Sequence, residues 1–279
     1  MARRARNTIA VAHGPPGPAA GMPPIVLLTD FGARDVFVGV LKGVIAGIAP
    51  GAAVIDLTHE VPPQDVRAAA IHLWMAYRFF PPRTVFVAVV DPGVGTRRRI
   101  LAAETAGGVF VAPDNGLLTR VLRESLPRRV VSVDARRHGL PSVSATFHGR
   151  DVFAPVAARL AGGLAVAELG PAVRDWVELP FAVPVLTARG ASGGVLLVDR
   201  FGNAMTDIPG GWARPGDGVL VRGRRVAEVV TAYGDVPRGR AAAVVSSAGT
   251  LEIAVGGGSA ARRLGLKAGM PVTLFRNRP

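Results

Sequence analysis

Ile25-Val26-Leu27-Leu28-Thr29-Asp30-Phe31-Gly32 sets the architecture of this chain. An apolar run this short, closed by an Asp-Phe-Gly break, reads as a buried strand rather than a helix. Asp35 follows as an expected N-cap. Val36, Val40, Val44 and Ile48 then recur every four residues, with Phe37, Leu41 and Ile45 beside them, which is amphipathic-helix spacing. The pattern then repeats. A strand over Ala53–Leu57 gives way to Thr58-His59-Glu60-Val61-Pro62-Pro63. A helix is expected from Asp65 to about Phe80, buried along Ala69, Leu73, Trp74 and Tyr77. The third strand, Thr84–Val90, stops at Asp91-Pro92-Gly93-Val94-Gly95. Strands and helices alternating at this spacing predict an α/β unit with a largely parallel sheet covered on both faces.

Leu101–Ala112 reads as a hairpin turning at Gly107-Gly108, and Asp114-Asn115-Gly116 as a turn before a short helix through Val121. Phe147-His148-Gly149-Arg150-Asp151 precedes a further helix, Val152–Leu160. Beyond about Pro184 short strands dominate, over Gly194–Asp199, Gly218–Arg222, Arg225–Val230, Ala242–Val245, Thr250–Val255 and Pro271–Phe275. Gly, Pro and Asp turns separate most of them, the texture of a small antiparallel barrel or sandwich. The expected organisation is a flexible leader over residues 1–23, an α/β domain over 24–187 and an all-β barrel over 188–279.

Composition narrows the function classes. With 49% apolar and 19% charged residues the sequence is that of a folded protein, and no apolar run reaches the ~18 residues that span a bilayer. The absence of cysteine removes disulfides, thiolate metal sites and a cysteine nucleophile, and fits the reducing cytoplasm where the chain is expected. The formal charge of +13 comes almost wholly from scattered arginines, Lys42 and Lys267 being the lysines. Without an aromatic-and-basic motif this reads as a solvated basic surface, not a nucleic-acid site.

In a parallel sheet the strand C-termini share one edge, and ligands bind there. Asp30, His59-Glu60 and Asp91 fall at three such ends. Each alone is an ordinary turn residue; three together favour a binding edge. Asp91-Pro-Gly-Val-Gly-Thr-Arg-Arg-Arg is neither a P-loop nor a dinucleotide fingerprint. No second histidine stands at metal-ligand spacing from His148, and no Gly-x-Ser-x-Gly elbow is present.

Seven stretches, in order, carry a resemblance. They are Thr29-Asp-Phe-Gly with Asp35 and Leu41-Lys-Gly-Val-Ile; Ile55-Asp-Leu-Thr-His-Glu-Val-Pro-Pro; Val90-Asp-Pro-Gly-Val-Gly-Thr; Ala112-Pro-Asp-Asn-Gly; Phe147-His-Gly-Arg-Asp-Val-Phe-Ala-Pro; Asp199-Arg-Phe-Gly-Asn; and Leu251-Glu-Ile-Ala-Val with Gly258-Ser-Ala-Ala. Together they resemble the adenosine-forming S-adenosyl-L-methionine (SAM) hydrolases, also called SAM hydroxide adenosyltransferases, which are similar to the SAM-dependent fluorinases and chlorinases.

The resemblance implies an α/β domain followed by a β-barrel, SAM as substrate with no cofactor or metal, and adenosine and L-methionine as products. It also implies a homotrimer with each site between one subunit's N-terminal domain and its neighbour's C-terminal domain. Carried over by position, the catalytic group is Asp91, Arg98 and His148. Arg98 is chosen because the family's arginine stands seven residues after the aspartate, with the run Arg97–Arg99 leaving that register open. Asp30 matches the aspartate on the ribose hydroxyls, and Phe31 lies beside it. Asp199, Phe201 and Asn203 match residues around adenine and the methionine portion, while Ser247, Glu252, Ser259 and Ala261 fall in the segments that close the pocket. Gly256 stands where Asn is common, and Phe37 where Tyr is.

The implied reaction is in-line displacement at C5′. Methionine leaves neutral from a sulfonium and needs no acid, so activating water is the hard step. His148 is expected to take the proton, Asp91 to orient the histidine or the water, and Arg98 to stabilise hydroxide or fix Asp91. The alternatives are a 5′-halogenase and a non-catalytic SAM or adenosine binder.

Overall fold

The computed structural model describes residues 21–277, so the expected leader lies outside the described residues save for its last three. The described chain divides into two compact units after Leu179.

In the first unit, β1 (Ile25–Thr29), β2 (Val54–Thr58), β3 (Val85–Val89), β4 (Ile100–Thr105), β5 (Gly108–Pro113) and β6 (Arg129–Ser132) form one sheet in the order β2-β1-β3-β5-β4-β6. Pairings β1–β2, β1–β3 and β3–β5 are parallel, whereas β4–β5 and β4–β6 are antiparallel. The expectation of a largely parallel sheet therefore holds for the three pairings that join β2, β1, β3 and β5, and fails for the two that β4 makes. The Gly107-Gly108 hairpin reverses the chain within two residues, and an adjacent hairpin strand can only run antiparallel.

The strands alternate sides. Ile25, Leu27, Val85, Val87 and Val89 meet α1 (Phe37–Ile48) and α5 (Ala154–Ala161) in one continuous core. The opposite face carries Phe86 and Phe110, stacked 4.8 Å apart, against Tyr77 at the end of α2 (Val66–Ala76). Asp65 caps α2 by accepting from Ala68 N at 2.8 Å, and Ala69, Leu73, Trp74 and Tyr77 are buried as the spacing predicts. The short helices α3 (Thr119–Glu124) and α4 (Ala135–His138) complete the unit.

Two features of α1 differ from the sequence reading. Asp35 is not its cap: Val36 takes the N-cap position with no side-chain bond, and Asp35 is exposed one residue earlier. The buried stripe is also narrower than the seven apolar positions of that spacing. Leu41 and Ile45 face the core, each contributing about 1.5–3 kcal/mol by burial, while Val36, Phe37 and Ile48 stay exposed. Neighbouring β2 is the edge strand and leaves Ile55 exposed too.

The second unit is an antiparallel sheet of β7 (Val185–Thr187), β8 (Gly190–Val198), β9 (Ala204–Pro209), β10 (Gly218–Val221), β11 (Arg224–Glu228), β12 (Ala241–Val245), β13 (Thr250–Val255) and β14 (Pro271–Phe275). Its order is β11-β10-β14-β8-β9-β13-β12, with β7 added on β8. A bridge between Val229 and Ala243, with Val230 N donating to Ala243 O at 2.8 Å, joins the two ends and nearly closes a barrel. Helix α6 (Ala260–Leu264) covers one mouth, its Ala260 buried in the barrel core. Strand β9 escaped the sequence reading because Thr206 and Asp207 interrupt its apolar pattern, although both are buried.

Candidate active site

Strand order places β1 between β2 and β3, so the chain leaves β1 toward one side and returns on the other. A crevice opens at such a switch point, beyond the strand C-termini. Asp30 follows β1 and Asp91 lies just past β3, on either side of that crevice.

Asp91 begins a tight turn in which Val94 N donates to Asp91 O and Thr96 N to Gly93 O, both at 3.2 Å. Gly95 has φ +78°, and a Cβ there would lie 2.3 Å from Ala145 O, so this position needs glycine. The turn thereby packs against the segment that delivers His148. It also folds Arg98 back onto Asp91. Arg98 Nε donates to Asp91 Oδ1 at 2.8 Å, and Nη2 donates both to Asp91 Oδ2 and, at 2.9 Å, to His148 Nδ1. The side chains of Arg98 and Asp91 are only 10% and 6% exposed, which makes this a desolvated, bidentate pair.

Of the three adjacent arginines, Arg98 is the one brought to Asp91 and His148. Arg99 turns away, donating to Asp114 Oδ2 at 2.7 Å and to Asp175 Oδ1 at 2.9 Å, and Arg97 is exposed. Asp91, Arg98 and His148 form one hydrogen-bonded chain, with Arg98 in its centre.

His148 stands before a π-helical turn, Gly149–Phe153, that leads into α5. Fully buried Asp151 braces this turn: it accepts from Ser144 N at 2.7 Å and from Arg150 Nε at 2.6 Å. Because a guanidinium can only donate, His148 Nδ1 must accept, and the ring is neutral with its proton on Nε2. Burial and the charge of Arg98 hold His148 below the ordinary imidazole value, against the opposing pull of Asp91 and Asp151.

At the end of β1, Asp30 Oδ2 accepts from Gln64 N at 2.8 Å, Gln64 having φ +65°. Half-buried Phe31 meets Phe37 and Phe147 edge-on, with centroids 6.1 and 6.0 Å away. Asp30, Phe31 and the residue preceding His148 are thus gathered around one aromatic cluster. The bracing roles of Gln64 and Asp151 were not visible in the sequence.

The second unit gathers its own polar group. Asp199 Oδ1 accepts from Asn203 N at 2.8 Å, and Asn203 Nδ2 donates to Asp199 Oδ2 at 3.5 Å. Buried Glu252, on β13, accepts from Tyr233 Oη at 2.5 Å. Its carboxyl is pushed up by burial and by Asp199, against the bonds from Tyr233 and Asn203. Ser259 caps α6 and Ala261 N donates to Gly202 O at 2.8 Å, tying α6 to the Asp199–Asn203 loop. Phe201, on that loop, is 77% exposed. Ser247 is the outlier, exposed in the β12–β13 turn. Tyr233 was missed, since nothing in its surroundings on the chain points to Glu252.

Residues 25–170 match the family model of the SAM hydroxide adenosyltransferase N-terminal domain, and residues 193–273 that of the C-terminal domain. The chain belongs to this family. Among relatives of the adenosyltransferase, a protein of Thermus thermophilus named (R)-S-adenosyl-L-methionine hydrolase is 48% identical, over 91% of this chain and 100% of its own. A fluorinase of an Actinoplanes species is 32% identical over 68% of this chain and 73% of its own. A solved structure from Thermotoga maritima, described as an uncharacterized conserved protein, gives a TM-score of 0.86 at 40% identity, covering 90% of this chain and 100% of that one. Among the described residues of the adenosyltransferase, no helix is long and apolar enough to cross a membrane.

Proposed function

We propose that this protein hydrolyses SAM at C5′, releasing adenosine and L-methionine, and that its substrate carries the (R) sulfonium. The Asp91–Arg98–His148 chain carries the reading, together with the (R)-SAM hydrolase that covers nearly the whole sequence. Water bound beside His148 gives up a proton to Nδ1, and Arg98, released from that nitrogen, turns its free N–H toward the hydroxide. Hydroxide attacks C5′ as the C5′–S bond breaks, its electron pair going to sulfur, and methionine leaves neutral. The imidazolium then returns its proton to solvent. Asp91 keeps Arg98 in place throughout.

For the remaining contacts, Asp30 holds the ribose hydroxyls, with Oδ2 already anchored by Gln64 N. Phe31 lines that end. Asp199, Phe201, Asn203 and Glu252 take the methionine portion and adenine, with Ser259, Ala261 and Ser247 closing the pocket. SAM is the substrate, with no cofactor invoked, and the cysteine-free sequence supports a cytoplasmic setting.

The decisive measurement is incubation with separated (R)- and (S)-SAM in halide-free oxygen-18 water, read by mass spectrometry. Labelled adenosine, formed faster from the (R) epimer, is the expected result. Unlabelled adenosine or faster turnover of (S)-SAM overturns the reading. Formation of 5′-chloro- or 5′-fluoro-adenosine on adding halide would favour the activity named for the Actinoplanes relative.

The proposed assembly is a homotrimer with sites shared between neighbours. Exposed Val36, Phe37 and Ile48 on α1, beside Ile55 on the β2 edge, support an interface there. Sedimentation of the wild type is expected to give three times the 28.9 kDa of the chain. Phe37→Asp or Ile48→Asp should yield monomers with turnover reduced at least about tenfold, since a like-sized patch of apolar contact carries more than ~1.4 kcal/mol. Fully active monomers would rule out a shared site.

A further inference from the structure

We propose that His59 is a positioning residue: through Thr29 on one side and the Asp56–Lys42 pair on the other, it fixes the Asp30–Phe31 backbone and so sets affinity for the ribose hydroxyls. This rests on the reading of Asp30 as the ribose contact.

His59 is 8% exposed and Thr29 fully buried. Thr29 Oγ1 lies 2.8 Å from His59 Nδ1, and Phe31 N donates to the same hydroxyl at 3.2 Å. On the far side, His59 Nε2 lies 3.0 Å from Asp56 Oδ1, short but off the hydrogen-bond direction, and Lys42 Nζ donates to Asp56 Oδ2 at 2.6 Å. A lone pair facing a carboxylate at that distance would be repelled, so Nε2 carries the proton. Nδ1 then accepts from the Thr29 hydroxyl, and the hydroxyl's remaining capacity accepts from Phe31 N.

Burial opposes charge on Asp56, yet the Lys42 bond and the close His59 ring outweigh it and hold the carboxyl below its ordinary value. Every link therefore has a fixed direction. A second tie runs through the backbone, where Gly32 N donates to His59 O at 2.8 Å. The two ties clamp the residues immediately before and after Asp30–Phe31.

A hydroxyl, an imidazole and a carboxylate in series resemble a nucleophilic triad, but Thr29 is wholly inaccessible. The chain has no reacting atom to meet. What it does reach is the backbone that aims Asp30.

The test compares binding of adenosine and 2′-deoxyadenosine by calorimetry in the wild type, D30N, H59A, D56N and K42M, with KM and kcat for SAM alongside. A hydrogen bond to a carboxylate should give the wild type a preference for adenosine of about tenfold or more. H59A is expected to reduce that preference below about threefold and raise KM, with kcat at saturation little changed. D56N and K42M, altered at the half-exposed end of the chain, should shift it the same way by less. If D30N keeps the preference, the ribose assignment of Asp30 is wrong. If D30N abolishes it while folded H59A and D56N keep it, the positioning role of His59 is overturned. Should H59A fail to fold, D56N and K42M decide in the same manner.

Discussion

Replacing Arg98 by Ala or Met is expected to lower turnover by about 10³-fold, or roughly 4 kcal/mol of barrier, while SAM still binds. Three consequences of one deletion add up. Asp91, 6% exposed, loses both hydrogen bonds and remains a buried, unpaired carboxylate, a situation that costs about 3–5 kcal/mol when one partner of a buried pair is removed. His148 loses the donor on Nδ1 that sets its tautomer. The hydroxide forming beside them loses the cation that would stabilise it. Arg98→Lys should rescue little, because a single ammonium cannot bond both oxygens of Asp91 and His148 together as the planar guanidinium does. Arg97→Ala should keep nearly full activity, since that side chain is exposed and points to no member of the group. Single-turnover kinetics with calorimetric SAM affinity is the check. An R98A protein that binds SAM and turns it over at near wild-type rate would remove Arg98 from the mechanism.

Much of this arrangement was legible before any coordinates. The runs Ile25–Leu28 and Val85–Val90 are too short and too apolar to be anything but buried strands, and each is followed within two residues by an aspartate of the proposed site. The hairpin turn was also read, yet its consequence for the sheet was not drawn: strands β4 and β5 must run antiparallel, which limits the parallel part to β2, β1, β3 and β5. Periodicity found α1 but not which of its apolar positions are buried. Every position of that helix except its glycines and Lys42 is apolar or small, so spacing cannot say which stripe meets the sheet. The resemblance picked Arg98 from three adjacent arginines, and only the fold shows why the middle one differs, since the glycine turn brings it back onto Asp91. Tyr233 and Glu252 are 19 residues apart and meet only because β12 and β13 bring them round. Long-range polar pairs of this kind leave no local signal. Short-range pattern gave the strands and their order on the chain and the resemblance gave Asp91, Arg98 and His148, whereas the parts that brace them, Gln64 and Asp151, come from tertiary contact.

Activity is expected to fall on the acid side with a midpoint below about 6.5, the ordinary imidazole value, and His148→Ala is expected to cost about 10²–10⁴ in turnover, the range typical of a general base. Neutral His148 is the competent form, because protonation of Nδ1 places a second cation against Arg98 at the position where the guanidinium now donates. Burial is the first cause of the depressed value, and the Arg98 charge the second. The sign follows directly. A histidine held neutral in the folded protein resists protonation, so its contribution to stability is present above the unfolded value and is lost as pH falls through the lower folded one. The limb can be assigned by imidazole NMR, since the sequence has only five histidines and the signal missing from H148A identifies the relevant one. Its midpoint should lie below 6.5 in the wild type and move upward in R98M, where one of the two depressing causes is gone. An acid limb that titrates above 6.5, or an R98M midpoint that moves down, would mean that the proton acceptor is some group other than His148.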